Sequence, residues 1–241
     1  MMIKLKNEGF LQENEIAELK SDQKSSKLTI EEVVAQAFVF FIAAFETTSS
    51  TMALCLYELA KNPTLQRKVQ REIDSVLEKR SSKEIDFEMM SELKYLENCI
   101  DETLRKYPPA PFLMRECGKT YQIPGSDLEI EKGTPLIIST FGIQRDSELF
   151  PDPLNFDPNR FNEENIHKIQ PFSYFPFGAG PRVCIGQRFG KLTMRLGLFL
   201  LMQKFNFSTC GETVSELKFS PKQFVLTLAD DLNLKVSARE L

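Results

Sequence analysis

The sequence predicts a mostly helical α+β fold for this chain of 241 residues. Three observations carry that prediction. Residues 30–59 are apolar on most faces, as in a long buried helix. Within residues 86–107, Leu93, Leu96, Ile100 and Leu104 recur at helical spacing. Residues 120–141 instead alternate, with turn signals at Pro124-Gly125 and Lys132-Gly133, as short strands do.

Taken in order, residues 1–28 are polar, with a weak helical pattern over 11–19 and a Ser/Lys/Asp-rich stretch over 21–27, and read as a linker with partial helix. Thr29 followed by Glu32 forms a capping box, because each can satisfy the other's free backbone N–H. The helix over 30–59 is expected to run buried through the middle of a domain. Asn62-Pro63 ends it and starts a second helix over 63–78 with a charged outer face. The helical region 86–107 breaks at Pro108-Pro109-Ala110-Pro111. Residues 142–183 are rich in Pro, Asp, Asn, Phe and Gly with little periodicity, and a stretch that long without regular structure is usually functional. A helix over 185–203 follows, and the tail over 218–236 reads as a β-hairpin turning near residues 229–231.

Composition narrows the chemistry. Hydrophobic residues make up 42% and charged residues 27%, enough apolar surface for a true core. A formal net charge of −4 gives no reason to expect a nucleic-acid partner. His167 is the single histidine and reads as a solvated loop residue, so sites built on several histidines are excluded. Any metal chemistry must lean on thiolate or carboxylate. The five cysteines include no CxxC pair, and the odd count favours a reducing compartment. Cys55 and Cys99 fall on apolar helical faces as core thiols, while Cys117 and Cys210 show no ligand pattern. The apolar runs over 33–45, interrupted by Gln36, and 192–202, carrying Arg195, are read as too short for a bilayer.

The informative stretch is Phe175-Pro-Phe-Gly-Ala-Gly-Pro-Arg-Val-Cys184-Ile-Gly186. Gly178, Gly180 and Gly186 are expected to adopt positive φ and let the backbone approach a flat object. Cys184 sits where an extended loop enters a helix, and the free N–H groups there stabilise a thiolate. Phe177 supplies an apolar shield. Arg182, two residues before the cysteine, is placed to pair a carboxylate. On this evidence alone, a small buried cysteine in a glycine-rich turn is the competing reading.

The spacing F-x-x-G-x-R-x-C-x-G, met by Phe177, Gly180, Arg182, Cys184 and Gly186, resembles the haem signature of the cytochrome P450 family. The resemblance extends from about residue 29 to 236. Glu102-Thr-Leu-Arg105 is similar to the family's E-x-x-R, and Pro158-Asn-Arg160-Phe161 to its P-x-R-F element. On spacing alone a Glu/Arg pair at i, i+3 is a surface salt bridge worth a few tenths of a kcal/mol. The resemblance implies instead a buried network of Glu102, Arg105 and Arg160 behind the cysteine loop. Ala43-Ala44-Phe45-Glu46-Thr47 resembles A-G-x-[DE]-T, with Ala44 at the usual glycine. Bonding of Thr47 back to the preceding turn is the alternative account of that hydroxyl. Gln144 stands where the family often has histidine.

What the resemblance implies is a haem b cofactor, with Cys184 as the axial thiolate ligand to iron, a ligand that favours O–O cleavage. Arg182 and Arg115 would pair the haem propionates. Phe177, Gly178, Gly186, Ala43 and Ala44 would line the cofactor and its oxygen groove, and Thr47 and Glu46 would handle protons beside dioxygen. Residues 110–114 and 228–230 would touch substrate. The implied activity is monooxygenation of a small apolar organic substrate with electrons from an NADPH-dependent reductase. By the same resemblance, the full-length protein would be microsomal, on the cytosolic face of the endoplasmic reticulum membrane. Residues 29–241 read as the C-terminal, haem-binding part of that domain, without its N-terminal half. A truncated, non-enzymatic remnant and a haem-thiolate isomerase or dehydratase are the alternatives. The Glu46-Thr47 pair weighs against the isomerase, which has no oxygen to protonate.

Overall fold

A computed structural model describes residues 28–80 and 84–240, so the segment read as a linker lies outside the described residues. The chain divides into two units, residues 1–46 and 47–241. Helix α1, Ile30–Lys61, begins at the predicted capping box: Glu32 N donates to Thr29 Oγ1 at 3.2 Å and Thr29 N to Glu32 Oε2 at 2.8 Å.

The expectation that α1 is buried throughout is corrected for its first-unit part. Val34, Phe38, Phe41 and Phe45 are 59–68% exposed. An apolar helix face is buried only where another element covers it, and α1 is the one regular element described within that unit. The length argument against a bilayer is also corrected. The apolar run belongs to a 32-residue helix that contains an 18-residue window of mean hydropathy 1.5, long and apolar enough by length and composition to cross a membrane. The apolar run stops at Phe45, whereas the helix continues through Thr47, Thr48, Ser49 and Ser50.

In the second unit the end of α1 is central, with Leu54, Cys55, Leu56 and Leu59 all buried. Helix α2, Pro63–Glu78, starts at the predicted Asn62-Pro63 and buries Val69, Ile73 and Val76. The region 86–107 is two helices, α3 (Phe87–Glu92) and α4 (Lys94–Lys106), parted at the buried Leu93. Asp86 caps α3 by accepting from Met89 N at 2.6 Å. The first turn of α4 is capped from another helix: the Glu72 carboxylate accepts from Tyr95 N at 2.6 Å and Leu96 N at 3.0 Å. Burial raises that carboxyl above its usual range, and the peptide N–H groups oppose the rise.

Among the described residues the strands form three two-stranded antiparallel ribbons. Strand β1 (Leu113–Glu116) pairs with β4 (Pro135–Ile138), placing Arg115 opposite Leu136, and β2 (Tyr121–Gln122) pairs with β3 (Glu129–Ile130). Helix α5 is one turn, Thr140–Ile143, capped by Ser139. The aperiodic stretch after it holds the short 3-10 turns Pro158–Phe161, Ile166–Lys168 and Gly180–Arg182. Helix α6 spans Gln187–Lys204.

The tail is not the predicted hairpin. Ser220 N donates to Thr227 O and Ala229 N to Lys218 O, both at 2.8 Å, so the chain reverses between residues 221 and 226. The end of the tail forms β6 (Lys235–Ala238), which pairs with β5 (Phe205–Ser208). The Ser220-Pro221 turn signal outweighs the Asp-rich one that suggested residues 229–231.

One core joins these parts, with Leu59, Ile73, Leu96, Ile100, Leu198 and Met202 from α1, α2, α4 and α6. A Cβ at Gly197 would stand 2.6 Å from Met52 Sδ, the end of a flexible side chain, which would have to shift. The fold class is as predicted, mostly helical with small sheets.

Candidate functional site

Cys184 lies on the last residues of a tight loop entering α6. The loop closes on its own backbone. Cys184 N donates to Phe177 O at 2.9 Å, Gly178 N to Phe175 O at 2.9 Å and Val183 N to Gly180 O at 3.1 Å. Gly178 (φ 77°) and Gly180 (φ 74°) hold positive φ, where a side chain would be strained. Gly186 does not; it sits at φ −85° as the residue before α6. A Cβ there would meet Cys184 Sγ at 3.7 Å, an ordinary van der Waals contact.

The loop presents its thiol rather than hiding it. Cys184 is exposed, and the neighbouring Val183, Ile185 and Phe189 are 44%, 84% and 66% exposed. The competing reading of a buried structural cysteine is thereby excluded. An exposed thiol ringed by exposed apolar side chains at a helix N-terminus suits a large flat apolar group that takes a thiolate ligand. Arg182 is exposed on the 3-10 turn and offers a cation for an acidic edge of such a group. Phe177 is half-buried and packs on the core. Arg115 is half-buried on β1 and shares its face with Leu113, whose Cδ1 would stand 3.9 Å from a Cβ at Gly178. That face of β1 therefore adjoins the cysteine loop.

Behind the loop lies a buried ionic network. Glu102 and Arg105 side chains are both 0% exposed. Arg105 Nε donates to Glu102 Oε2 at 2.7 Å and Nη2 to Oε1 at 2.8 Å, a bidentate pair. Asp157 N also donates to Glu102 Oε1 at 2.9 Å, and Arg160 Nε lies 3.5 Å from that oxygen. Arg105 spends its remaining donors on Gln144 O and Pro153 O, each at 2.8 Å. Burial raises the Glu102 carboxyl, while the Arg105 contacts, the Asp157 N–H and Arg160 oppose the rise. The three residues read as a network do meet, and complete burial sets this Glu/Arg pair apart from a surface pair.

Gln144 is the residue that sequence reasoning left without a role. It is fully buried. Its Nε2 donates to Leu104 O and Arg105 O at 3.0 Å, and its Oε1 accepts from Phe175 N at 2.9 Å. One amide thus ties the end of α4 to the start of the cysteine loop. Only a side chain with both donors and an acceptor can do so. Gln144→Leu should cost about 2–3 kcal/mol in chemical unfolding, because it strands a buried N–H and two carbonyls. A loss under about 0.5 kcal/mol, the level of a neutral surface change, would remove the tie.

On α1, Ala43 and Glu46 are exposed and Ala44 is half-exposed, all in the first unit, while Thr47 begins the second. The Thr47 carbonyl accepts from Thr51 Oγ1 at 2.7 Å, a hydroxyl bonding back one turn. Cys55 and Cys99 are buried core thiols as expected, and burial pushes the Cys55 thiol up to about 12. Among the described residues no cluster of His, Cys, Asp and Glu could hold a separate metal ion.

Comparison with known proteins adds the family context. The family described as Cytochrome P450 matches residues 7–235. Among curated relatives, "Probable cytochrome P450 6a14" of Drosophila melanogaster is 47% identical over 88% of this chain and 42% of its own length. "Cytochrome P450 6a8" of the same species is 45% identical over 98% of this chain and 46% of its own length. "Cytochrome P450 6l1" of Blattella germanica is 45% identical over 79% of this chain and 38% of its own length. The chain spans less than half the length of each of these three.

Proposed function

The chain belongs to the cytochrome P450 family, and from that premise we propose that it forms the thiolate-bearing side of a haem monooxygenase. The family implies a haem cofactor. The observation that carries the proposal is the exposed thiol of Cys184, held in a glycine loop that is anchored on the buried Glu102/Arg105 pair through Gln144. Haem, when bound, supplies the redox chemistry that activates dioxygen.

This chain's residues do the rest. Cys184 would supply the thiolate ligand to the haem iron from the loop that enters α6. Gly186 would line the cofactor beside Sγ. Arg182 and Arg115 would pair the haem propionates. Glu46 and Thr47 are consecutive on α1, and their carboxyl and hydroxyl groups would handle protons beside dioxygen. Ala44, half-exposed, stands in place of the family's glycine.

The balance is one dioxygen, two electrons and two protons, giving one oxygen atom in the substrate and one molecule of water. The electrons come from an NADPH-dependent reductase. The substrate is a small apolar organic molecule, touched by residues 110–114 and the tail segment 228–230. The complete protein acts at the cytosolic face of the endoplasmic reticulum membrane. Turnover of an apolar substrate by the haem-loaded protein under isotopically labelled dioxygen, with reductase and NADPH, tests the proposal. One labelled atom per product molecule is expected. Product carrying no label, or product formed without NADPH, would instead indicate isomerisation.

A further inference from the structure

The cysteine loop hydrogen-bonds mainly to itself, so its position is set at its two stems. Asp101, on α4 beside Glu102, touches both. It is 8% exposed, and its Oδ1 accepts from Tyr174 OH at 2.9 Å and from Lys191 Nζ at 2.5 Å. Tyr174 stands ten residues before Cys184, and Lys191 seven residues after it on α6. Tyr174 OH also lies 3.2 Å from the Asp101 carbonyl. One turn farther along both helices, Glu97 pairs with Arg195 at 2.7 Å, and Arg195 Nη1 donates to Met90 O at 2.8 Å. The four-residue steps make α4 and α6 an antiparallel pair joined by two ionic rungs, 101/191 and 97/195. Only the first rung also holds the incoming stem.

We propose that Asp101 is a positioning residue for Cys184: its carboxylate clasps both stems of the cysteine loop, through Tyr174 and Lys191, and so governs how firmly the thiolate is retained on haem iron. The inference rests on the haem-thiolate reading above. With the clasp intact, Sγ is carried on a loop fixed at both ends. Without it, the outgoing stem loses its ionic tie to α4 and the incoming stem keeps only Tyr174's neutral contacts and Gln144. The second rung provides the control, because it joins the same two helices without touching the incoming stem.

The test compares the haem-loaded, reduced, carbon monoxide-bound wild type with D101N, K191M, the double variant and E97Q. Two quantities are followed: the rate at which the thiolate Soret band is lost on gentle warming, and the apoprotein melting temperature. D101N keeps the shape of the site, and K191M removes a partly exposed ammonium, so both are expected to fold. Each should speed loss of the thiolate band about ten-fold, and the double variant no further, as for two halves of one interaction. E97Q should change the rate less than about two-fold while lowering the melting temperature comparably. Band loss in D101N at the wild-type rate overturns the proposal. So does an equal acceleration by E97Q, which would make the rungs equivalent struts. A wild type with no thiolate band at all fails the haem-thiolate reading itself, and the proposal with it.

Discussion

Cys184→Ser should abolish the thiolate Soret band completely while leaving the apoprotein folded. Both halves follow from where the sulfur sits. Cys184 is exposed, so exchanging its sulfur for oxygen disturbs no core packing and should change stability by less than about 0.5 kcal/mol. No other cysteine lies in that loop, although the Thr213 hydroxyl lowers the part-exposed Cys210 thiol. Cys55, Cys99 and Cys117 are buried, and burial raises the Cys55 and Cys99 thiols, opposing thiolate formation. Cys210 lies after β5, where its backbone N–H bonds Thr213 Oγ1 at 2.8 Å, outside the loop that enters α6. Absorbance of the reduced, carbon monoxide-treated protein reads the first half, and a thermal melt of the apoprotein reads the second. A residual thiolate band in the serine variant would mean that the ligand is another cysteine.

Arg105→Met should be the most damaging single change, at about 3–5 kcal/mol, because it leaves a buried carboxylate with only the Asp157 N–H and one distant guanidinium. That is a large share of the roughly 5–15 kcal/mol that holds a typical domain. Arg160 cannot compensate, since its Nε lies 3.5 Å from Glu102 Oε1 and its Nη2 is engaged with Asp152 O at 3.0 Å. A buried ion pair can sometimes be exchanged whole for apolar residues without loss. Here it should not be. Arg105 also satisfies Gln144 O and Pro153 O, which stay unpaired in Glu102→Met/Arg105→Met. Urea unfolding should place the double variant between wild type and the single variant. Full recovery would show that those two carbonyl bonds carry no weight.

The parts legible in the sequence share a physical feature: each depends on residues close together in the chain. The Thr29/Glu32 box, the Asn62-Pro63 boundary and the positive φ of Gly178 and Gly180 are local chemistry, and each is present. The features that were missed join distant segments. Gln144 bonds residues 39 and 40 positions before it and 31 after it, and no periodicity marks such a residue. Asp101 was passed over beside Glu102 because its partners lie 73 and 90 residues away. The tail failed for the same reason. The segment Lys235–Ala238 pairs with Phe205–Ser208 rather than with its near neighbours, and local turn signals cannot rank those choices. Burial of α1 could not be inferred from its apolar faces, because coverage is a property of the neighbours.

Ligation of haem iron by Cys184 is read by loading the protein with haem, reducing it and adding carbon monoxide. A strongly red-shifted Soret band is the predicted result. Haem bound with an unshifted band, or haem that does not bind, would contradict it.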